Sequence, residues 1–416
     1  MRRIPPSITM KEAISTLLQT GTPDGHPLDA LVRASARYML QVALEQEVTD
    51  FLGREHYQRG ARRQAGHRNG YEPRALKTAE GAVTLALPQV RRTGTPFTSR
   101  LLDRLGSRSG ILTELAIRMY VRGLSVRDVD GAFAEATGER LLSKSAVSSL
   151  TKTLDAEFDV WRGRDLAALP VVYLFLDAIF LPLRQGSHEK EGVLCAYGVL
   201  ESGRKVLLHL ALGNRESYDA WLSFLHDLTG RGLGEPVLVC TDGNPGLRRA
   251  LREVFPHALK QRCLVHKMRN ILGKLPKAAM VAMKRLLHQV FDARDYPTGL
   301  RKGRELIARF RARFPSAMGC LEEDLEACLV HLKLPREHRR RIRTTNLLER
   351  LFGEGKRRTR VIPRFPTEQS CLKLLYATLL TASKTWRGVK MTPALLREID
   401  TVRGELGQPK VQQLVA

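Results

Sequence analysis

Two aspartates occupy positions from which their carboxylates could act together on a phosphodiester. Asp177 lies inside the apolar run "PVVYLFLDAIFLPLR" (170–184), and Asp242 directly follows the run "PVLVCT" (236–241). An unpaired acid within an apolar strand costs on the order of several kcal/mol, so a partner is expected beside Asp177. Two carboxylates held close together repel each other unless one is protonated or a cation bridges them. Because such oxygen ligands suit Mg²⁺, which also takes phosphate oxygens, the pair predicts metal-dependent phosphodiester chemistry.

Asp242 taken alone has a second interpretation. It precedes "GNPG" (243–246) and a basic, helix-like stretch, so its side chain could cap that helix instead of binding a metal ion. The interpretation as a metal ligand therefore depends on Asp177 lying next to it.

A third carboxylate would complete the metal site, and the stretch "NLLERLFGEGKRRTR" (346–360) offers two. Read as a helix, this stretch has one apolar stripe, and Glu349 lies at the boundary of that stripe on the same face as Asn346. Glu354 falls on the opposite edge, between two arginines at four-residue spacing, where an ion-pair role suits it. We therefore assign the third ligand to Glu349, with Glu354 as the alternative. The apolar stripe consists of Leu347, Leu348, Leu351 and Phe352.

The chain carries a large excess of positive charge, with 68 Lys and Arg residues against 43 Asp and Glu residues and a formal net charge of +25. This excess favours a nucleic-acid partner over a ribosome-associated or membrane-surface role. Two basic clusters are predicted to bind DNA, one following Glu349 and one in an arginine-rich stretch, 54–75. The first consists of Lys356, Arg357, Arg358 and Arg360, and the second of Arg62, Arg63 and Arg68.

The sequence predicts a protein of the reducing cytoplasm that does not contact a membrane. The amino terminus lacks the long apolar segment of a signal peptide, and the longest apolar run (170–183) is too short to span a bilayer. The six cysteines include no Cys-x-x-Cys pair, which argues against a disulfide framework or a four-cysteine zinc site.

The predicted elements form a helical, basic first part and an α/β second part. Residues 1–110 are a predicted DNA-binding region, in which a helix (28–53), a loop (54–75) and a short hairpin (75–92) follow one another. Residues 111–165 predict a helix-turn-helix-like segment that could read a DNA groove.

From residue 170 the order is three strands, a helix, a strand, a helix and a strand, which is the order of a ribonuclease H-like sheet. In that sheet the first and fourth strands are neighbours, and this would bring Asp177 to Asp242. The fold class is therefore α/β, with a ribonuclease H-like core. The first part of the predicted core spans 166–275, and a helical insertion follows over 276–340. The last part of the core spans 341–416 and contains the Glu349 helix and a final helix near 367–386.

These motifs together resemble the mutator-type bacterial insertion-sequence transposases, relatives of the plant Mutator elements. Besides the two aspartates, the stretch "TTNLLERLFGEGKRRTRV" (344–361) matches the family's Asn-x-x-Glu-Arg segment and the basic run after it, through Asn346, Glu349 and Arg350. The family's Cys-x-x-His pair is matched by Cys263 and His266. Two such side chains do not make a structural zinc site, which needs four ligands, so we expect them to pack or hydrogen-bond near the active site.

The resemblance implies a DDE transposase in which Asp177, Asp242 and Glu349 hold two Mg²⁺ ions, with Mn²⁺ as a substitute. Such an enzyme cleaves a strand at the transposon end and lets the freed 3′-hydroxyl attack another phosphodiester. The implied partners are double-stranded DNA, as terminal inverted repeats and target DNA, and a second copy of the chain on that DNA. The implied location is the bacterial nucleoid.

Two alternatives share the same fold. A domesticated relative could bind DNA without cutting it, although the intact set of acids argues against that. A ribonuclease H-like nuclease would cleave without joining, and its products would distinguish it.

Overall fold

The computed structural model of the chain describes residues 4–21, 27–58, 66–121, 124, 126–142, 144–181, 191–213, 217–361, 368–384 and 386–408. The chain divides into two compact units, residues 1–152 and 153–416. No helix of the described ranges is long and apolar enough to cross a membrane.

The first unit combines helices with one antiparallel hairpin. Its elements are α1 (Pro6–Thr20), α2 (Pro27–Leu52), β1 (His67–Thr78), β2 (Gly81–Arg91), α3 (Arg100–Leu105), α4 (Gly110–Val121) and α5 (Val126–Thr137). The predicted hairpin is confirmed, but the predicted loop is wrong from His67 onward, because β1 begins there. The arginine-rich residues of β1 pair with the apolar strand β2, as in Arg74 opposite Leu85. This pairing satisfies the backbone hydrogen bonds of a segment whose composition had suggested a loop.

The helix-turn-helix-like prediction corresponds to α4, α5 and α6 (Lys144–Gly163), and the second unit begins within α6. Leu112 and Ala116 of α4 pack with Val129 and Phe133 of α5 in a small apolar cluster. DNA contact by these helices stays a prediction.

The second unit is built on a five-stranded mixed sheet. Its strands are β3 (Val171–Leu181), β4 (Glu191–Leu200), β5 (Lys205–Gly213), β6 (Leu238–Thr241) and β7 (Leu259–Arg262), in the spatial order β5-β4-β3-β6-β7. The middle strand of the first three, β4, is antiparallel to both β3 and β5, whereas β6 runs parallel to both β3 and β7. The prediction that the first and fourth strands are neighbours is therefore confirmed.

Helices account for the rest of this unit. They are α7 (Tyr218–Gly230), α8 (Pro245–Val254), α9 (Leu264–Leu272), α10 (Lys277–Phe291), α11 (Tyr296–Phe310), α12 (Pro315–Glu323), α13 (Leu325–Leu329), a 3₁₀ turn (Val330–Lys333), α14 (Arg336–Ile342), α15 (Asn346–Val361), α16 (Glu368–Ser383) and α17 (Pro393–Glu405). The prediction that residues 276–340 are helical is confirmed. The prediction that the chain's last helix lies near 367–386 is wrong, because α17 follows. Thr392 caps α17 by accepting a hydrogen bond from the Leu395 amide, so a local start signal was present.

Helices cover both faces of the sheet. Because side chains alternate along a strand, Leu174 and Leu176 of β3 point to one face, where they share an apolar core with α7 and α8. Ile179 points to the other face, towards α15. At Gly355 of α15, a Cβ would lie 2.8 Å from Leu375 of α16 and 3.7 Å from Ile179. A glycine at this position therefore lets α15 lie directly on the face that Asp177 also points to.

Candidate active site

Asp177 and Asp242 meet because of the register between two parallel strands. Phe175 of β3 is paired with Cys240 of β6, and each aspartate lies two residues farther along its strand direction. Neighbouring strands are about 4.8 Å apart, and residues two apart point to the same face. The two aspartates are therefore neighbours, as the strand order predicted, and the charge of Asp242 acts on Asp177.

The environment of Asp177 disfavours its charged form. Its side chain is 7% exposed. Burial is the main cause that raises the pKa of Asp177 to about 7, and the nearby negative charge of Asp242 raises it further. His266 and hydrogen bonds from the Ala178 amide and the Thr345 side chain offset part of this rise. A bound cation would stabilise the charged form of Asp177, because it would offset both the burial of this acid and the repulsion by Asp242.

Asp242 is not the cap of the following helix. Asn244 holds that position, with its side-chain oxygen accepting a hydrogen bond from the Leu247 amide at 3.1 Å. Asp242 Oδ1 instead accepts from the Asn244 amide at 3.0 Å, within a turn in which Gly243 has a φ of +87°. This bond uses one carboxylate oxygen of Asp242 to order the turn. The helix-cap interpretation of Asp242 is thereby excluded.

Glu349 projects from the first turn of α15 towards α9. The apolar stripe predicted for this helix is buried at Leu348, Leu351 and Phe352. The side chain of Glu349 is 31% exposed, and its Oε1 lies 3.1 Å from His266 Nε2 and 3.7 Å from Arg269 Nη2, both on α9. The structure thus places Glu349 against a histidine and an arginine.

His266 lies close to Cys263, Asp177 and Glu349. The largest influence on His266 is the Cys263 side chain, which raises the pKa of His266, and burial opposes this rise. Asp177 and Glu349 raise it further, so the imidazole feels both acids. Burial alone would raise the pKa of the Cys263 thiol, but hydrogen bonds from His266 and Thr345 bring it below its ordinary value. This geometry fits the predicted hydrogen-bonding role beside the active site.

Thr345 is a site residue that the sequence reasoning missed. It is fully buried, its amide donates to Cys263 Sγ at 3.4 Å, and its carbonyl accepts from the Glu349 amide at 3.1 Å. Its side chain also hydrogen-bonds to Asp177. One residue therefore connects β3, the start of α9 and the start of α15. A threonine directly before a predicted helix was the available signal, since it is a common cap.

The comparisons with known proteins decide the family. The profile of the family described as "Transposase, Mutator family" matches residues 9–388. The chain belongs to the Mutator family of transposases. The resemblance inferred from the motifs is thereby confirmed.

Named relatives of this Mutator-family chain share about a third of its residues. It is 34% identical to the transposase for insertion sequence element ISRM5 of Rhizobium meliloti, over 91% of this chain and 92% of that protein. It is 32% identical to the transposase for IS406 of Burkholderia multivorans, over 91% and 95% of the two chains. It is 29% identical to the transposase for IS256 in transposon Tn4001 of Staphylococcus aureus, over 82% and 87%.

The carboxylates of this family member do not form a closed three-acid cage. Within the described ranges, no three His, Cys, Asp or Glu side chains are grouped so as to hold a metal ion by themselves. Asp177 and Asp242 are together, whereas Glu349 contacts His266 and Arg269. Two hard oxygen donors, one of them buried and poorly ionised, nevertheless suit a divalent cation such as Mg²⁺. The paired aspartates therefore fit the ion that the sequence predicted.

The predicted DNA-binding residues differ in their surroundings, and the structure describes only some of them. Lys356 and Arg357 are exposed on α15, about two turns beyond Glu349. Arg68 donates to Thr49 Oγ1 and to the Arg54 carbonyl, both at 3.0 Å, and so ties β1 to the end of α2. Its contact with DNA stays a prediction. Asn346 is exposed at the first position of α15. The side chains of Glu354, Arg358 and Arg360, and all of Arg62 and Arg63, lie outside what the structure describes.

Proposed function

We propose that this transposase cuts DNA at the ends of an insertion sequence and joins the freed 3′-ends to new DNA, with Asp177, Asp242 and Glu349 as its metal-binding acids. The observation that carries the proposal is the juxtaposition of Asp177 and Asp242 on neighbouring parallel strands. Membership of a transposase family and relatives named as insertion-sequence transposases support the same activity.

Each acid has a distinct task in this proposal. Asp177 and Asp242 would share Mg²⁺ ions, and Mn²⁺ would substitute for them, while Glu349 would supply the third carboxylate. When bound, the two ions supply activation of the attacking oxygen and charge stabilisation at the leaving oxygen of the phosphodiester. His266 holds Glu349 at the edge of α9, beside the face that carries the aspartates.

The basic residues of α15 would bind the DNA backbone. Lys356 and Arg357 are exposed on the helix that begins with Glu349, so phosphate bound there would lie beside the acids. The first unit would recognise the terminal repeats, and two copies of the chain would hold two DNA ends together. Because its substrate would be chromosomal DNA, the protein would be located at the bacterial nucleoid.

The sheet supports a ribonuclease H-like core for this chemistry. Three antiparallel strands are followed by two parallel ones, with helices on both faces and the acids at the junction of β3 and β6. We assign the core to that fold on the strand order and on the placement of the acids.

The test is an assay with purified protein and labelled DNA that carries the ends of its element. We expect Mg²⁺- or Mn²⁺-dependent strand cleavage and joining by the wild type, and neither by Asp242→Asn at equal DNA affinity. Cleavage without joining would favour a nuclease. DNA binding without cleavage in either protein would favour the domesticated, non-catalytic alternative.

A further inference from the structure

One buried carboxylate in the helical segment 276–340 forms ion pairs with three cationic side chains near the active site. Asp324, between α12 and α13, is 6% exposed. Its Oδ2 accepts from Lys267 Nζ at 2.6 Å and from Arg262 Nε at 3.2 Å, while its Oδ1 accepts from Arg248 Nη1 at 3.0 Å. Burial alone would raise the pKa of Asp324, but Lys267, Arg248 and Arg262 keep it below its ordinary value. The cluster therefore connects α8, β7 and α9 to the helical segment through charged groups.

The guanidinium of Arg262 packs against the turn that carries Asp242. A Cβ added to Gly243 would lie 2.5 Å from Arg262 Nε, so only a glycine admits the side chain there. Gly243 also has a positive φ, a backbone conformation that favours glycine over residues with a side chain. Arg262 Nη1 is buried and has no hydrogen-bond partner within the described residues. Packing against Gly243 and the bond to Asp324 thus define the position of this side chain.

The same turn is fixed from its other end. The Asp242 carboxylate accepts from the Asn244 amide, and the Cys263 amide, next to Arg262, donates to the Thr241 carbonyl at 2.7 Å. A shift of the Arg262 side chain would remove the packing on Gly243, the residue directly after Asp242, while these two hydrogen bonds stay in place.

We propose that Arg262, held by Asp324, is a positioning residue that fixes the Asp242 carboxylate for metal binding. This inference rests on the proposed function, because it assigns Asp242 to the metal site. It gives the helical segment a role in the chemistry, since Asp324 lies outside the sheet that carries the two aspartates.

Arg248 provides a matched control. It donates to the same carboxylate as Arg262, whereas the three atoms nearest to a Cβ at Gly243 all belong to Arg262. Arg262→Met and Arg248→Met each remove one cation from Asp324 and leave two behind. Any defect that comes only from weakening the cluster should therefore appear in both variants.

The experiment measures the Mn²⁺ concentration that gives half of the maximal thermal stabilisation, without DNA, and the single-turnover cleavage rate at saturating DNA. We expect Arg262→Met to raise the half-saturating Mn²⁺ concentration and lower the rate by about 10-fold or more, as is usual for residues that orient a metal ligand. We expect Arg248→Met to stay within about 2-fold of wild type, which corresponds to an indirect effect of roughly 0.4 kcal/mol.

Equal shifts in the two variants would overturn the positioning role. Arg262→Lys is the second variant, because it keeps a cation for Asp324 and removes the planar guanidinium. Arg262→Lys should show the same metal-binding defect as Arg262→Met and should unfold near the wild-type temperature. Metal binding by Arg262→Lys at the wild-type level would also overturn the inference. A wild type that neither binds Mn²⁺ nor cleaves DNA would instead overturn the proposed function.

Discussion

His266 Nε2 lies 3.1 Å from Glu349 Oε1, so the third acid of the candidate site is held by a residue of the neighbouring helix. The same imidazole is influenced electrostatically by Asp177. One histidine therefore links the carboxylate on α15 to the paired carboxylates of the sheet. The Cys-x-x-His spacing of the sequence explains this arrangement, since Cys263 directly precedes α9 and His266 lies on the first turn of that helix.

Replacing His266 with Asn should lower single-turnover cleavage by about 10-fold, because Glu349 would lose the partner that orients it. DNA affinity should stay unchanged. His257→Asn is the control, since His257 Nδ1 makes a similar 3.1 Å contact with Glu235 on the surface. Equal reductions of activity in the two variants would contradict a specific role for His266.

Asp177→Asn should stabilise the metal-free protein at high pH. The pKa of Asp177 is about 7 in the folded protein against an ordinary 3.8, so the folded state binds the extra proton between those values. Stability contributed by this group therefore falls as the pH rises from about 4 to 7. At pH 8 the variant should unfold with a free energy higher by about 4 kcal/mol, and at pH 4 the difference should nearly vanish. Urea unfolding in EDTA measures this. Asp159→Asn, at an exposed position on α6, is the control variant, and an equal effect in both variants would contradict a specific role of Asp177.

Thr345→Val should disturb the site with little change in shape. The variant removes the hydroxyl that hydrogen-bonds to Asp177 and lies 3.5 Å from Cys263 Sγ, and it should lower the free energy of unfolding by about 1–2 kcal/mol. It should also reduce cleavage, because Asp177 loses a group that favours its charged form. Thr401→Val, which removes an exposed hydroxyl on α17, is the comparison. Full activity in Thr345→Val would argue against this link.

Lys356→Ala and Arg357→Ala should weaken DNA binding for every sequence alike. Removing one cation that binds a phosphate should reduce the slope of log affinity against log salt by roughly 1. Fluorescence anisotropy over a salt series measures this, with Arg397→Ala, at an exposed position on α17, as the control. Unchanged salt slopes in both α15 variants would place the DNA elsewhere.

Local pattern was enough to predict the sheet and the aspartate pair. An apolar strand interrupted by Asp177 and a second one ended by Asp242 predicted two carboxylates on neighbouring strands, and the strand pairing confirmed the adjacency. The hydrophobic stripe of α15 likewise predicted the buried face beside Glu349. These features depend on the period of a strand or a helix, which a short stretch of sequence contains.

Contacts between distant segments could not be predicted in the same way. Asp324 looks like any acid in a charged helical stretch, and its three partners come from residues 57 to 76 positions away. The arginine-rich residues from His67 onward looked like a loop because their strand partner, not their composition, determines their structure. The contact between Glu349 and His266 depends on how α9 and α15 pack, and neither helix specifies that alone.

A metal-specificity switch at Asp242 tests the central claim most directly, because it asks whether this side chain touches the ion. Asp242→Cys replaces a hard oxygen ligand with a soft sulfur, which binds Mg²⁺ poorly and softer divalent ions such as Mn²⁺ or Cd²⁺ better. We predict that this variant is inactive in strand cleavage with Mg²⁺ and recovers cleavage with Mn²⁺ or Cd²⁺, while Asp242→Asn recovers with none of them. Cleavage by Asp242→Cys at the wild-type rate in Mg²⁺ would show that Asp242 is not a metal ligand and would contradict the account.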